Sequence, residues 1–159
     1  MTRDAATPVD EPLARNSAGL TAWRALIVSN SRLARVLDEE MQDAYNLTLG
    51  EFDVLATLAH APGERQRMCD LATAVIMSAS GLSRRVDRLE RAGWVCRERS
   101  TGDGRSIEAT LTAEGQQFFE RASEFHRTGV RRHFADRFTS EELVTLAGLL
   151  GRLEGDPSQ

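Results

Sequence analysis

The sequence predicts a mainly α-helical fold with one small β-hairpin, an α+β class with little sheet. Two observations predict it. Apolar residues recur at three- and four-residue steps over most of the chain, which is helical spacing. Residues 94–111 instead hold two short runs of strand-like alternation around a Gly-Asp-Gly tip. The length of 159 residues suits one domain with a core of its own.

The composition excludes several classes of protein. Charged residues make up 28% and hydrophobic residues 41%, which excludes bulk disorder. No apolar run approaches the roughly 18 residues of a membrane-spanning helix, and the first residues lack the apolar segment of a secretion signal. We therefore expect a cytoplasmic protein that does not enter a membrane. Two cysteines, Cys69 and Cys96, are too few for a disulfide framework or a metal cluster.

The charge distribution singles out the middle of the chain. All 20 basic residues are arginine, and the formal net charge is −4. Residues 65–111 nevertheless carry nine arginines against six acidic residues, whereas both flanking regions are net negative. Because the local field steers a polyanion more than the total charge does, this middle region suits nucleic acid.

The N-terminal region predicts one long helix and then a shorter one. Residues 1–17 are polar and contain two prolines, so we expect a flexible arm. Helical spacing then runs from Leu20 to about Tyr45. The sequence Thr48-Leu49-Gly50-Glu51 is a capping box that begins a second helix, and Pro62-Gly63 ends it. Residues 65–68 could form a short edge strand.

The middle region predicts two helices around a turn, followed by the hairpin. Residues 69–76 suggest a short helix, and a second helix runs from about Ser78 to a C-terminal cap at Gly93. Apolar residues at spacings of four and three predict the inner face of the second helix, and its predicted outer face carries Ser80, Ser83, Arg84, Arg85 and Arg88. This order of elements predicts a winged helix-turn-helix, with the hairpin as the wing.

The C-terminal region predicts a helical dimerisation lobe. A long helix follows Thr112 to about Phe138, and a second capping box at Thr139-Ser140-Glu141-Glu142 begins a last helix with a leucine seam. Apolar stripes on the first and last helices would stay partly bare in a monomer. We assign residues 18–46 and 112–154 to a dimerisation lobe, 47–111 to a DNA-binding lobe and 155–159 to a tail.

The outer face of the second helix suits base recognition in double-stranded DNA. A major groove accepts one helix, and serine and arginine side chains on its first turns can reach base edges. We expect Arg84 or Arg85 to contact a guanine, and Arg88 and Arg91 to contact phosphates. The wing would place Arg105 in the minor groove, with Asp103 holding its guanidinium. A dimer would then require a pseudo-palindromic operator. The candidate DNA-binding residues are Ser78, Ser80, Ser83, Arg84, Arg85, Arg88, Arg97, Arg99, Asp103 and Arg105.

The chain resembles the MarR family of winged helix-turn-helix regulators over about residues 20–154. The resemblance is carried by LTLGEFDVLATLAHAPG, by LATAVIMSASGLSRRVDRLERAGWVCRERSTGDGRSIEATLTAEG and by TSEELVTLAGLLGRLE. It implies a homodimer built from the first and last helices, a recognition helix at residues 78–92 and a wing at 94–111 that carries the Asp103–Arg105 pair. It also implies repression that is relieved by a small, often aromatic, anion.

The sequence also contains candidate residues for an effector site. Aromatic packing and bidentate arginine contacts would suit an aromatic carboxylate. On that basis the candidate pocket residues are Trp23, Arg24, His60, Arg65 and Arg67.

Three alternatives differ from this interpretation. A redox-responsive regulator would use Cys69 or Cys96, which requires an accessible thiol with a lowered pKa. A winged-helix module for protein contacts alone would need apolar anchors on a face that here is serine and arginine. An enzyme is not expected, because no catalytic triad, paired carboxylates or phosphate loop is present. We also expect no cofactor and no metal, since His126 and His133 are about 10.5 Å apart along one helix.

Overall fold

The computed structural model describes residues 10–99 and 106–153, with the side chains described from residue 17. The chain divides into two compact units, Met1–Val36 and Leu37–Gln159. Within the described residues there are six helices and three strands: α1 (Asp10–Tyr45), α2 (Leu49–His60), β1 (Arg65–Arg67), α3 (Met68–Ala74), α4 (Ala79–Arg91), β2 (Val95–Arg99), β3 (Ile107–Leu111), α5 (Ala113–His133) and α6 (Ser140–Gly151).

Helix α1 begins earlier than the sequence suggested. Its first residue is Asp10, so the predicted arm over residues 1–17 is wrong for residues 10–17. Pro12 lies in the first turn, where its missing N–H would have no helical acceptor in any case, so it does not oppose the helix. The helix ends with Asn46 in the left-handed conformation, and the N–H of Asn46 donates to the carbonyl of Gln42.

Both predicted capping boxes are confirmed. The Thr48 hydroxyl accepts from the N–H of Glu51 at 3.2 Å, and the Glu51 carboxylate accepts from the N–H of Thr48 at 2.9 Å. At the start of α6 the same two bonds join Thr139 and Glu142, at 3.3 and 2.8 Å. Each box satisfies two backbone donors that the helix itself cannot satisfy.

The three strands form one antiparallel sheet in the order β1–β3–β2. The predicted edge strand is β1, and the predicted hairpin strands are β2 and β3, whose register pairs Val95 with Leu111 and Arg99 with Ile107. The tip between them, residues 100–105, lies outside the described residues. The hydrophobic core draws on α1, α2, α3, α4, β2, β3 and α5.

The start of α5 packs directly against the base of the wing. The ring of Trp94 stacks on Phe118 with centroids 3.6 Å apart, and Thr112 donates its N–H to the Trp94 carbonyl. A side chain on Gly115 would place its Cβ 2.0 Å from that same carbonyl oxygen. Only glycine permits this approach, so the backbone of α5 lies against the wing.

Helix α5 ends at His133 rather than near Phe138. Phe134 leaves helical geometry at φ −123° and ψ −65°, and a short 3-10 turn over Ala135–Arg137 follows. The rings of Phe134 and Phe138 pack 5.4 Å apart across this turn, which is why apolar spacing alone suggested a longer helix. Within the described residues, no helix combines the length and apolar run that a bilayer crossing requires.

Candidate nucleic-acid interface

Helix α4 is a short amphipathic helix with well-defined ends. The Ser78 hydroxyl caps its start by accepting from the N–H of Gly81 at 3.1 Å. At the other end Gly93 adopts φ 81°, and the N–H groups of Gly93 and Trp94 donate to carbonyls of the last turn. This is a Schellman cap, as the glycine predicted. One face is fully buried through Leu82, Val86 and Leu89.

The opposite face of α4 presents a small polar surface. Ser78, Ser80 and Arg84 are exposed there, and we refer to them as the contact face. No hydrogen bond or ion pair joins the Arg84 guanidinium to any other residue in the described part of the chain. Before this face the chain turns through Ile76, which is 93% exposed and adopts φ 52°, an unusual conformation for a β-branched residue.

Arg85 does not lie on the open outer face that its spacing suggested. Its guanidinium lies against Gly50 at the start of α2, where an added Cβ would be 2.7 Å from the guanidinium carbon. It also contacts the sulfur of Met77. The absence of a side chain on Gly50 makes room for the guanidinium, which is why Arg85 is half-buried.

Arg88 is engaged at the junction between α1 and α2. Its Nη2 donates to the backbone carbonyl of Asn46 at 2.6 Å and lies 3.3 Å from the side-chain oxygen of Asn46. Its Nε is 3.2 Å from the carboxylate of Glu51, which is almost fully buried. Arg88, which the sequence predicted to contact phosphates, is thus held by contacts within the chain, with 43% of its side chain exposed.

Arg97 joins the wing to α4. Its Nη1 pairs with Asp87 at 2.6 Å and with Glu90 at 2.9 Å, and its Nη2 donates to the carbonyl of Ser83 at 2.9 Å. The side chain of Ser83, only 3.4 Å from the same nitrogen, is thereby partly engaged. Both residues were expected to face DNA, whereas the structure uses them to fix β2 against α4.

The remaining predicted DNA-binding residues are Arg99, Asp103 and Arg105. Arg99 is exposed at the end of β2. Asp103 and Arg105 lie outside the described residues.

The partners of these arginines were not identified from the sequence. They are Asn46, Gly50, Glu51, Asp87 and Glu90. A local signal existed for the last two, because acidic residues three apart on an arginine-rich helix are common ion-pair partners.

Comparison with known proteins places this arrangement in a family. Residues 47–107 match the model of the MarR family. The HTH-type transcriptional regulator PecS of Dickeya dadantii (strain 3937) is 35% identical over 134 residues, covering 78% of this chain and 76% of PecS. The chain belongs to the MarR family. The resemblance seen in the sequence is thereby confirmed, and the relatives are transcriptional regulators rather than enzymes.

Two further relatives extend this finding. The HTH-type transcriptional repressor Rv2887 of Mycobacterium tuberculosis (strain ATCC 25618 / H37Rv) is 33% identical over 128 residues, covering 79% of this chain and 90% of Rv2887. Sco3205, a MarR family regulator from Streptomyces coelicolor solved in complex with DNA, is 30% identical with a TM-score of 0.78. That match covers 97% of this chain and 91% of Sco3205. The winged helix-turn-helix fold is therefore confirmed.

The two cysteines differ in their surroundings. Cys69 is exposed at the start of α3, with its sulfur 3.5 Å from the Asp70 carboxylate. Cys96 is half-buried on β2, where burial, together with the nearby carboxylates of Glu98 and Glu90, raises the pKa of its thiol. A raised pKa disfavours the reactive thiolate, so the structure gives the redox alternative no support at Cys96.

Two of the five predicted effector-site residues share a cleft. His60 and Arg65 line an open cleft of about 450 Å³ between the end of α2 and β1, whereas Arg67 does not line it. The other lining residues are Ala56, Thr57, Ala61, Pro62 and Gln66. Trp23 and Arg24 are exposed on the N-terminal part of α1.

The two histidines of α5 have separate partners. His126 packs its ring on Phe52 with centroids 4.6 Å apart. The ring of His133 instead bonds to Glu40 at 2.7 Å.

Proposed function

We propose that the protein is a homodimeric repressor that binds a pseudo-palindromic operator in double-stranded DNA and releases it when a small aromatic anion binds. The observation that carries this proposal is the contact face of α4. It is a polar, exposed surface on a helix whose opposite face is buried and whose flanks are held by Arg88 and Arg97. The similar regulator Sco3205 was solved in complex with DNA, which supports DNA as the partner.

The contact face suits the major groove in size and chemistry. Arg84 carries a planar fork of donors that matches the two acceptors of a guanine, and the neighbouring serine hydroxyls can donate or accept. Arg99 and Arg105 would then serve the adjacent minor groove, with Asp103 holding the guanidinium of Arg105. This assignment leaves Arg85, Arg88 and Arg97 as residues that hold the recognition helix in place.

Dimerisation is supported by apolar surface that the chain does not cover. Within Ser140–Gly151, no residue of α6 is buried in the described part of the chain. A second copy of the chain is the partner that would cover such a surface and also supply the second half-site contact. The exposed apolar residues of α6 and of the segment after it are Val144, Leu149, Leu150 and Leu153; those of α1 are Leu20, Trp23, Ile27 and Val28.

The cleft between α2 and β1 is the effector site that we propose. Arg65 can bind a carboxylate bidentately there. The ring of His60 is oriented by the carbonyl of Ala56, 2.6 Å from its Nδ1, and by the edge of Phe119. A flat anion could therefore pair with Arg65 and pack against His60.

A DNA-binding titration tests the proposal. We expect the protein to retard the DNA upstream of its own gene as a dimer, with a log–log salt slope of about −0.9 for each phosphate neutralised. Benzoate is a suitable effector probe, which should weaken binding by the wild type and act less on Arg65→Gln. Binding that is insensitive to salt, or no binding to any duplex, would contradict the proposal and favour a protein-interaction module.

A further inference from the structure

Three helices meet at a small polar junction beside the recognition helix. Helix α1 ends at Tyr45 and is followed by Asn46, α2 begins at Leu49, and α4 contributes Arg88. The guanidinium of Arg88 contacts both of the other helices, through Asn46 on one side and Glu51 on the other. The junction thus has one cation and three oxygen acceptors.

The geometry uses the fork of Arg88 rather than only its charge. Its Nη2 donates to the carbonyl of Asn46 at 2.6 Å, while its Nε faces the carboxylate of Glu51 at 3.2 Å. The other oxygen of Glu51 accepts from the N–H of Thr48 in the capping box. Because Glu51 is almost fully buried, the loss of Arg88 would leave a buried carboxylate without its cation.

The end of α1 is itself fixed to α5. Tyr45 packs edge-on against both Phe118 and Phe125, with ring centroids 5.8 and 5.4 Å away. The carboxylate of Glu40 accepts from Arg132 and contacts the ring of His133, both at 2.7 Å. Through Asn46, Arg88 therefore joins α4 to the end of α1, which is already held against α5.

We propose that Arg88 is a positioning residue for operator recognition, which sets the orientation of α4 against the end of α1 and the start of α2. It acts through Asn46 and Glu51 and makes no phosphate contact. The inference rests on the proposed function, because it assumes that α4 contacts DNA. It deepens that function by identifying what holds the contact face at a fixed spacing in the dimer.

Substitution of Arg88 by lysine separates the two roles. Lysine keeps the positive charge but lacks the planar fork, so it can serve a phosphate yet cannot reproduce the separate Nη2 and Nε contacts to Asn46 and Glu51. We expect Arg88→Lys and Arg88→Gln to weaken operator binding to a similar extent, by roughly ten- to a hundredfold. Both should keep the wild-type salt slope. Arg91→Gln, which removes an exposed arginine from the same helix, is the matched control for lost charge.

A second variant tests the inference with the opposite electrostatic sign. Glu51→Gln removes a negative charge near the DNA-binding surface, so simple electrostatics predicts tighter binding. We expect weaker binding, because the neutral amide holds Arg88 less well. Asn46→Gly keeps the left-handed backbone at φ 51° and removes only the weaker side-chain contact, so its effect should be smaller.

Operator spacing provides a readout that a general loss of stability would not change. On operators whose half-site separation differs by one base pair, the wild type should discriminate strongly and Arg88→Gln less so. Circular dichroism at the assay temperature shows which variants are folded, and only those variants are compared. If the Arg88 variants unfold, the spacing measurement uses Glu51→Gln instead.

The outcomes distinguish this inference from the proposed function. Failure of the wild type to bind its operator would contradict the proposed function itself. Wild-type binding, with Arg88→Lys near wild type and a salt slope reduced by about one in Arg88→Gln, would show a phosphate contact and overturn the inference. Tighter binding by Glu51→Gln, or unchanged spacing discrimination in Arg88→Gln, would also overturn it.

Discussion

Helices α4 and α6 have 13 and 12 residues and both begin at a hydroxyl cap, yet they use their apolar residues differently. Helix α4 buries Leu82, Val86 and Leu89 within its own chain and exposes a polar surface. Helix α6 buries none of its residues in the described part of the chain and exposes several leucines. The exposed polar surface of α4 thus suits a polar partner, whereas the exposed leucines of α6 suit an apolar one.

The arginines around α4 are divided between contacts within the chain and an exposed surface. Their number gives the middle of the chain its local positive charge, but three of them are paired or packed within the chain. Arg88 contacts Glu51, Arg97 contacts both Asp87 and Glu90, and Arg85 lies against a glycine. The local charge thus lies in the winged helix-turn-helix, and three of its arginines are engaged by the chain itself.

The largest expected effect comes from placing a charge on the apolar face of α6. Leu150→Asp should abolish the dimer and weaken operator binding by at least a hundredfold, because one recognition helix cannot hold two half-sites. Analytical ultracentrifugation and fluorescence anisotropy with labelled operator measure the two quantities on the same preparation.

The matched control for this variant is Gly148→Asp. Gly148 is exposed, has no neighbour within 4 Å of an added Cβ, and lies two residues before Leu150, which is about 160° around the helix. The same charge at this position should leave the dimer intact. If both variants dimerise and bind like the wild type, α6 is not the dimer interface and the contrast between the two helices fails.

Local signals in the sequence were sufficient for most helix ends and strands. The capping boxes at Thr48 and Thr139, the stop at Pro62-Gly63 and the cap at Gly93 each depend on residues within one or two turns. The strand alternation of residues 107–111 is similarly local. These elements could be predicted because each side chain satisfies its own neighbouring backbone.

Contacts between distant elements could not be predicted in this way. The position of Arg85 depends on the missing side chain of Gly50, 35 positions earlier, and Arg97 has its partners on a different element. The spacing on α4 placed Arg85 and Arg88 beside Arg84 because helical periodicity describes a helix alone. Which of these arginines remains exposed is decided by packing against α2 and β2.

An intermediate effect is expected from the contact face. Arg84→Ala should weaken operator binding by about 1–3 kcal/mol and relax specificity at one position in each half-site. Arg85→Ala should instead weaken binding to all sequences alike and lower the unfolding temperature, because Arg85 packs within the chain. Binding to an operator series with single base changes, together with thermal unfolding, distinguishes them. If Arg85→Ala relaxes specificity and Arg84→Ala does not, Arg85 rather than Arg84 is the residue that contacts the base.

The smallest expected effects come from the two helix caps. Ser78→Ala and Thr139→Ala should each lower the free energy of unfolding by about 1 kcal/mol, since each leaves a backbone N–H in the first turn without its acceptor. The donors are Gly81 and Glu142.

At protein concentrations that saturate the dimer, Ser78→Ala should also weaken operator binding, because the first turn of α4 belongs to the contact face. Thr139→Ala should then bind like the wild type, and Ser78→Thr, which keeps a capping hydroxyl, should retain most of the stability. Denaturant unfolding at one fixed protein concentration measures the first effect, and anisotropy measures the second. Equal losses of operator affinity in the two alanine variants under saturating conditions would show that α6 takes part in DNA binding. The division that we infer, with α4 contacting DNA and α6 forming the dimer, would then be wrong.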